Sequence, residues 1–106
     1  MSQSWILLTI AVLIEIVWAL SLKYIQQHPN PWLITGSCLL AAINMALLSF
    51  AMRTIPAGTA YAVWTGLGAV GVTIGGIFLF GEPAAITRLF FLGLVMVGVV
   101  GLKLVS

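Results

Sequence analysis

The chain has 106 residues, of which 62% are hydrophobic and only 6% are charged. A soluble domain is typically about 25% charged, so these few charges cannot cover a water-exposed surface. The composition therefore predicts an integral membrane protein and excludes a nucleic-acid-binding surface, which needs clustered Lys and Arg. A single Cys and a single His exclude a disulfide framework and a metal cluster, and we expect no metal or cofactor.

Four apolar segments, each near the length of about 20 residues that crosses a bilayer, are separated by short breaks rich in Pro, Gly and polar residues. The sequence predicts an all-α integral membrane fold in one domain, 1–106. The predicted helices are about 4–23, 32–52, 57–80 and 85–105. Because the links are short, sequential helices should pack as antiparallel neighbours, with no room for a soluble domain.

The distribution of basic residues bears on assembly and orientation. Arg53 and Lys103 fall on the side of the N-terminus, whereas Lys23 and Arg88 fall on the other side. Orientation normally follows a Lys/Arg bias, so this balance predicts insertion in both orientations, unless other features fix one. Four helices enclose little interior, which favours a dimer. An antiparallel dimer would supply the inverted repeats that transporters use for alternating access.

Glu15 has apolar residues on both sides and falls near the middle of the first helix. A charge at the bilayer centre costs about 2.5–3.5 kcal/mol on insertion scales, which favours a functional role. Burial disfavours the charged form of a carboxyl group, so a proton and a cation can compete for this site. Joined to alternating access, that competition gives exchange. The alternative is a protonated Glu15 that only holds helices together.

Helical spacing indicates the neighbours of Glu15. Trp18 follows it by three positions on the same face and can donate its indole N–H to the carboxylate; alternatively, it is an interfacial anchor. Asn44, in the interior of the second helix, either bridges helices or reaches the site. Tyr61 and Trp64 repeat the three-residue spacing on the third helix.

The third helix is also rich in glycine after Thr65. Small residues let helices approach closely, and repeated glycines also permit bending. We assign either packing or bending to these five positions: Gly66, Gly68, Gly71, Gly75 and Gly76.

These residues resemble the small multidrug resistance transporters, and within them the guanidinium-exporter branch. The resemblance runs nearly end to end. It is carried by EIVWA at 15–19, LKY at 22–24, the specific segment PAGTAYAVWTGLGA at 56–69, GEP at 81–83 and GLK at 101–103. Trp18 together with Thr65 and Lys103 is similar to the guanidinium branch rather than the quaternary-ammonium branch.

The resemblance implies an antiparallel homodimer in a bacterial inner membrane, with four helices per subunit and a pocket between the two copies of Glu15. It implies proton-coupled export of guanidinium and small substituted guanidinium ions. Glu15 would bind proton or substrate, and Trp18 would hydrogen-bond and orient its carboxylate. Tyr61 and Trp64 would line the pocket.

Two positions depart from the family pattern. The family usually has a serine at the position of Asn44, which bonds the central Glu; Asn is larger but can keep that bond. The guanidinium branch commonly has a glycine at the position of Val12, which we expect to crowd the pocket wall. These departures, with Thr65 beside the pocket, bear on substrate range. They also leave open a paired heteromeric transporter.

Other functions predict different properties. An exporter of quaternary ammonium or other lipophilic cations would rely on aromatic faces and apolar area rather than on hydrogen bonds. A non-transporting membrane subunit would tolerate replacement of Glu15 by Gln. An enzyme is not expected, because one buried carboxyl group without a second acid or a Cys/His pair is no catalytic constellation.

Overall fold

A computed structural model describes residues 3–105 as four α-helices. They are α1 (Gln3–Gln27), α2 (Pro31–Ala51), α3 (Ala57–Phe80) and α4 (Ile86–Val105). Each is long and apolar enough to cross a membrane. The all-helical fold with four candidate spans is thereby confirmed.

The helix bounds differ from the predicted ranges mainly at the end of α1. The predicted range 4–23 ended at Lys23, but α1 continues to Gln27 because no Pro or Gly interrupts it before Pro29. The other boundaries agree with the predicted ones to within a residue. Residues 1, 2 and 106 of the predicted domain lie outside the described residues.

The start of α2 and the end of α3 have clear local causes. The side chain of Asn30 accepts a hydrogen bond from the backbone N–H of Trp32 (2.8 Å), with Pro31 as the first helical residue. Gly81 ends α3 with a left-handed φ of 64°, a conformation that only glycine adopts without strain.

The helices are arranged around α1, which packs against both α2 and α3, while α4 packs against α3. Because all three links are short, successive helices are antiparallel, and α1 and α3 therefore run parallel. The buried core draws on all four helices and on the link after α2; its members are Leu8, Ala11, Val12, Leu48, Ala51, Ile55, Ala60, Val63, Trp64 and Val99.

Glycines bring α3 close to its neighbours. A Cβ atom at Gly71 would overlap the side chain of Ile16, and one at Gly75 would lie 2.6 Å from Leu20 Cδ1. Both contacts are with α1. On another face, a Cβ at Gly66 would lie 2.8 Å from a methyl carbon of Val99 in α4. These are contacts of close packing, and α3 itself is one continuous helix.

The link between α3 and α4 is held by an ion cluster around Glu82. Its carboxylate pairs with Lys23 of α1, and Arg88 Nη2 lies 3.7 Å from the other carboxylate oxygen. Arg88 also donates to the backbone carbonyl of Pro83 at 2.9 Å, and Gly76 leaves room for the carboxylate. The hydrogen bond from Lys23 holds the pKa of Glu82 below its usual range. Glu82 thus ties the end of α1 to the α3–α4 link.

Close packing at the α1–α3 contact predicts that the same substitution costs more stability at Gly71 than at Gly36. Gly71→Val should destabilise the protein by about 1–3 kcal/mol, because the added side chain overpacks against Ile16. Gly36→Val is the matched control, since a Cβ there meets nothing within 4 Å. The measurement is unfolding of both variants in detergent. Equal stability of the two would contradict the packing described.

The Glu82 cluster should make stability depend on pH. Because the pKa of Glu82 is lower in the folded protein than in the unfolded chain, its ion pairs stabilise near neutral pH. This contribution disappears as the pH falls through the folded pKa. Glu82→Gln should therefore be less stable than wild type near pH 7, and the two should converge in acid, once the pH is below the lowered folded pKa of Glu82. Lys23→Gln should behave in the same way. A difference that persists unchanged in acid would refute the pairing.

Candidate functional site

The carboxylate of Glu15 lies against the backbone of α3 at Gly68. A Cβ atom at Gly68 would overlap the carboxylate, so only glycine leaves room for it. The Glu15 side chain is half-buried, and Oε2 is fully buried with no hydrogen-bond partner among the described residues. The sequence placed Gly68 only in a packing or bending group; the structure makes it the direct neighbour of the central carboxylate.

The register between α1 and α2 is set at both ends of the helix pair. Near one end, Thr54 donates a hydrogen bond to the hydroxyl of Ser4. Near the other, α1 residues within 18–26 and α2 residues within 34–41 line the same groove. The middle of α2 is therefore level with the middle of α1.

Asn44 occupies that middle position of α2. It is the polar side chain most completely removed from the surface, with 1% exposure, and the register puts it at the height of Glu15. Its carbonyl oxygen Oδ1 has no hydrogen-bond partner among residues 3–105. A bond to the carboxylate of Glu15 would be donated by the amide N–H₂ of Asn44, and that bond stays a prediction.

Trp64 supplies a donor one helical turn before Gly68. Its indole ring is buried, and Nε1 has no hydrogen-bond partner within residues 3–105. The ring of Tyr61 lies beside it, with the two centroids 5.6 Å apart, and Tyr61 is largely exposed. The two predicted residues are thus adjacent: Trp64 is buried and Tyr61 is exposed.

Among the described residues, three buried side-chain polar atoms have no hydrogen-bond partner: two acceptors, Glu15 Oε2 and Asn44 Oδ1, and one donor, Trp64 Nε1. A buried polar group left unpaired costs roughly 1–3 kcal/mol, and a native protein contains few of them. The described residues supply no partner for any of the three, so a partner for each would have to come from elsewhere. Two acceptors suit a cation that carries N–H groups.

Trp18 lines the groove of about 720 Å³ between α1 and α2. The buried Oε2 of Glu15 accepts no hydrogen bond from it among residues 3–105, so its predicted role in orienting the carboxylate stays a prediction. Its backbone carbonyl accepts from Ser21 Oγ at 2.5 Å. Trp18 follows Glu15 by almost one helical turn. Its indole lies toward α2, whereas the carboxylate of Glu15 faces α3.

The two predicted tuning positions, Val12 and Thr65, differ in burial. Val12 is 5% exposed and belongs to the hydrophobic core. It lines a second groove, among α1, α3 and α4, together with Val63 and Met96. Thr65 is exposed on α3. Val12 thus belongs to the same buried core as Trp64, and the predicted effect of both positions on substrate range stays a prediction.

Comparison with known proteins decides the family. The family model described as "Small Multidrug Resistance protein" matches residues 3–95. The chain belongs to the small multidrug resistance family. Its four apolar helices accordingly make it a multi-pass membrane protein.

Curated relatives match the chain over almost its whole length. Proteins named "Guanidinium exporter" from Salmonella typhimurium and Citrobacter freundii are each 54% identical over 104 residues, covering 96% of this chain and 97% of the relative. One of the same name from Proteus vulgaris is 51% identical over 106 residues, covering 98% of this chain and all of the relative. The predicted resemblance to this branch of the small multidrug resistance family is confirmed.

The contact between Glu15 and Gly68 can be tested by adding one methyl group. Gly68→Ala should destabilise the protein by about 1–3 kcal/mol and move the carboxyl ¹³C resonance of Glu15, because the carboxylate must leave α3. Gly36→Ala is the control, since a Cβ at Gly36 meets nothing within 4 Å. An unchanged Glu15 resonance in Gly68→Ala would show that the carboxylate does not lie there.

Proposed function

We propose that this chain is a proton-coupled antiporter that exports guanidinium and small substituted guanidinium ions. The observation that carries the proposal is a carboxylate within a candidate membrane-spanning helix, Glu15, whose buried oxygen has no hydrogen-bond partner among residues 3–105. The names of relatives that are 51–54% identical over nearly the whole chain support the choice of cation.

The chemistry of the buried groups favours guanidinium. A guanidinium ion is planar, and its N–H groups match a carboxylate in a two-bond fork. Glu15 supplies that carboxylate, and Asn44 supplies a second unpartnered acceptor. A quaternary ammonium ion has no N–H group and would leave both acceptors unpaired, at a cost of roughly 1–3 kcal/mol for each.

Proton movement is coupled to guanidinium movement because both ligands bind the same carboxylate, Glu15. When Glu15 holds a proton it has no charge to pair with a cation, and when it binds guanidinium it has lost the proton. A transporter that changes its accessible side only with one ligand bound then exchanges protons for guanidinium. The proton gradient across a bacterial inner membrane would drive export.

We further propose that the working unit is an antiparallel homodimer. Within the described residues, Val99 is the only buried residue of α4, and Gly93, Gly98 and Gly101 have open space around them. Such a face suits close packing against a second copy. The balance of two basic residues on each side supports insertion in both orientations.

One observation supports a second candidate cation. Tyr61 and Trp64 form a tilted aromatic pair, and aromatic faces attract cations that have no hydrogen-bond donors. Export of quaternary ammonium or other lipophilic cations is therefore the alternative, as is a paired heteromer in which a related chain completes the pocket.

Transport by purified protein in liposomes tests the proposal. With an inward proton gradient, wild type should move guanidinium outward, and Glu15→Gln should lose this activity by at least about 100-fold, because Gln has neither the charge nor the exchangeable proton. Glu82→Gln is a control that removes the other acidic side chain. Transport of tetraethylammonium but not guanidinium, or proton-driven transport by Glu15→Gln, would overturn the proposal.

A further inference from the structure

The groove among α1, α3 and α4 is given no role of its own by the proposed function. It has a volume of about 240 Å³. Its floor consists of buried apolar side chains from all three helices: Leu8, Val12, Val63 and Val99. Among the described residues, one charged side chain lines it, that of Lys103 in the last turn of α4.

The groove extends from one surface of the membrane toward the bilayer interior. Because α1 begins and α4 ends on the same side of the bundle, Trp5 and Lys103 lie at its surface end, and Val12 and Met96 lie at its inner end. The distance along α1 from Trp5 to Val12 is about 10 Å at 1.5 Å per residue. The groove is therefore positively charged at the membrane surface and apolar below it.

The charge of Lys103 has no carboxylate partner among residues 3–105. The chain has two acidic side chains, Glu15 and Glu82. Glu15 lies in the middle of α1, and Glu82 pairs with basic residues at the opposite end of the bundle. The ammonium group of Lys103 lies over the ring of Trp5, 4.8 Å from its centroid, a contact that holds the charge at the mouth of the groove. An anion from outside the chain would complement it.

A phospholipid has the matching distribution of polarity, with a phosphate at the membrane surface and acyl chains that extend toward the bilayer centre. Basic pockets between transmembrane helices bind anionic lipid headgroups. We propose that this groove binds one anionic phospholipid, with the phosphate on Lys103 and one acyl chain along the apolar floor. The walls are open to the bilayer from which the lipid would enter, since Val100 is 51% exposed and Leu104 is 80% exposed.

A second copy of the chain is the competing occupant, and the geometry of α4 separates the two. Gly98 and Gly101 belong to the face that we propose for the dimer contact, and they precede the groove residues Val100 and Lys103 by two positions each. Two positions correspond to about 200° around a helix. The glycine face and the groove therefore lie on opposite sides of α4, and a partner chain on the first leaves the second to lipid.

Native mass spectrometry tests the site, because it counts the lipid molecules that the purified protein retains. Wild type should retain dioleoylphosphatidylglycerol about fivefold more than dioleoylphosphatidylcholine, which is the effect expected of one basic residue near an anionic surface. Lys103→Gln should bring the ratio of the two lipids close to one. Arg53→Gln is the matched control and should keep the wild-type ratio. Arg53 lies on the same side of the bundle and likewise has no carboxylate partner among the described residues, but it does not line the groove.

A second pair of variants tests the position of the acyl chain. Val100→Trp fills the groove without changing the charge, so it should retain much less phosphatidylglycerol than wild type. Val17→Trp makes the same change on α1 at a residue that is 62% exposed and lies outside the groove, and it should retain as much as wild type. If Val100→Trp does not fold, Thr9→Phe fills the groove from α1 and should show the same loss.

None of these measurements depends on guanidinium transport, so they test the lipid site separately from the proposed function. Equal retention of the two lipids by wild type, or an unchanged ratio in Lys103→Gln, would overturn the proposal. An equal loss in Arg53→Gln would also overturn it, since that result indicates attraction to the whole basic surface. Unchanged retention in the groove-filling variant would refute the acyl-chain position. Dissociation of a dimer by Lys103→Gln in the absence of lipid would assign the groove to a second chain instead.

Discussion

A carboxylate inside a bilayer must either pair with a cation or take up a proton, and the structure is organised around that constraint. Glu15 meets α3 at Gly68, where any larger residue would displace the carboxylate. Farther along the same contact, Gly71 and Gly75 receive Ile16 and Leu20. The positions of these glycines therefore determine which residues of α1 contact α3. They thereby also determine where the carboxylate lies.

The rest of the fold fixes that contact and leaves the site open. α1 is held on its other side by α2, which brings Asn44 to the height of the carboxylate, and its C-terminal part is tied to the α3–α4 link through Glu82 and Lys23. The three buried polar atoms have no hydrogen-bond partner among the described residues. Their partners would have to come from a ligand or from another chain.

The sequence predicts the number of helices and their approximate ends, since apolar length and Pro/Gly breaks are local signals, as is the anomaly of Glu15 in an apolar run. It does not predict which helix faces meet. Helices that are apolar all round have no polar stripe to indicate a buried side, so helical spacing points to Trp18 as a neighbour of the carboxylate and gives no signal for Gly68. The burial of Val12 in the hydrophobic core is likewise not visible in the sequence.

The central claim is that a proton and guanidinium compete for Glu15, and release of protons on guanidinium addition tests it most directly. In weakly buffered detergent solution, wild-type protein should release protons when guanidinium is added, in an amount that saturates with binding. Glu15→Gln should release none, while Glu82→Gln should behave as wild type. Binding of guanidinium by wild type without proton release, or equal release by Glu15→Gln, would contradict the account.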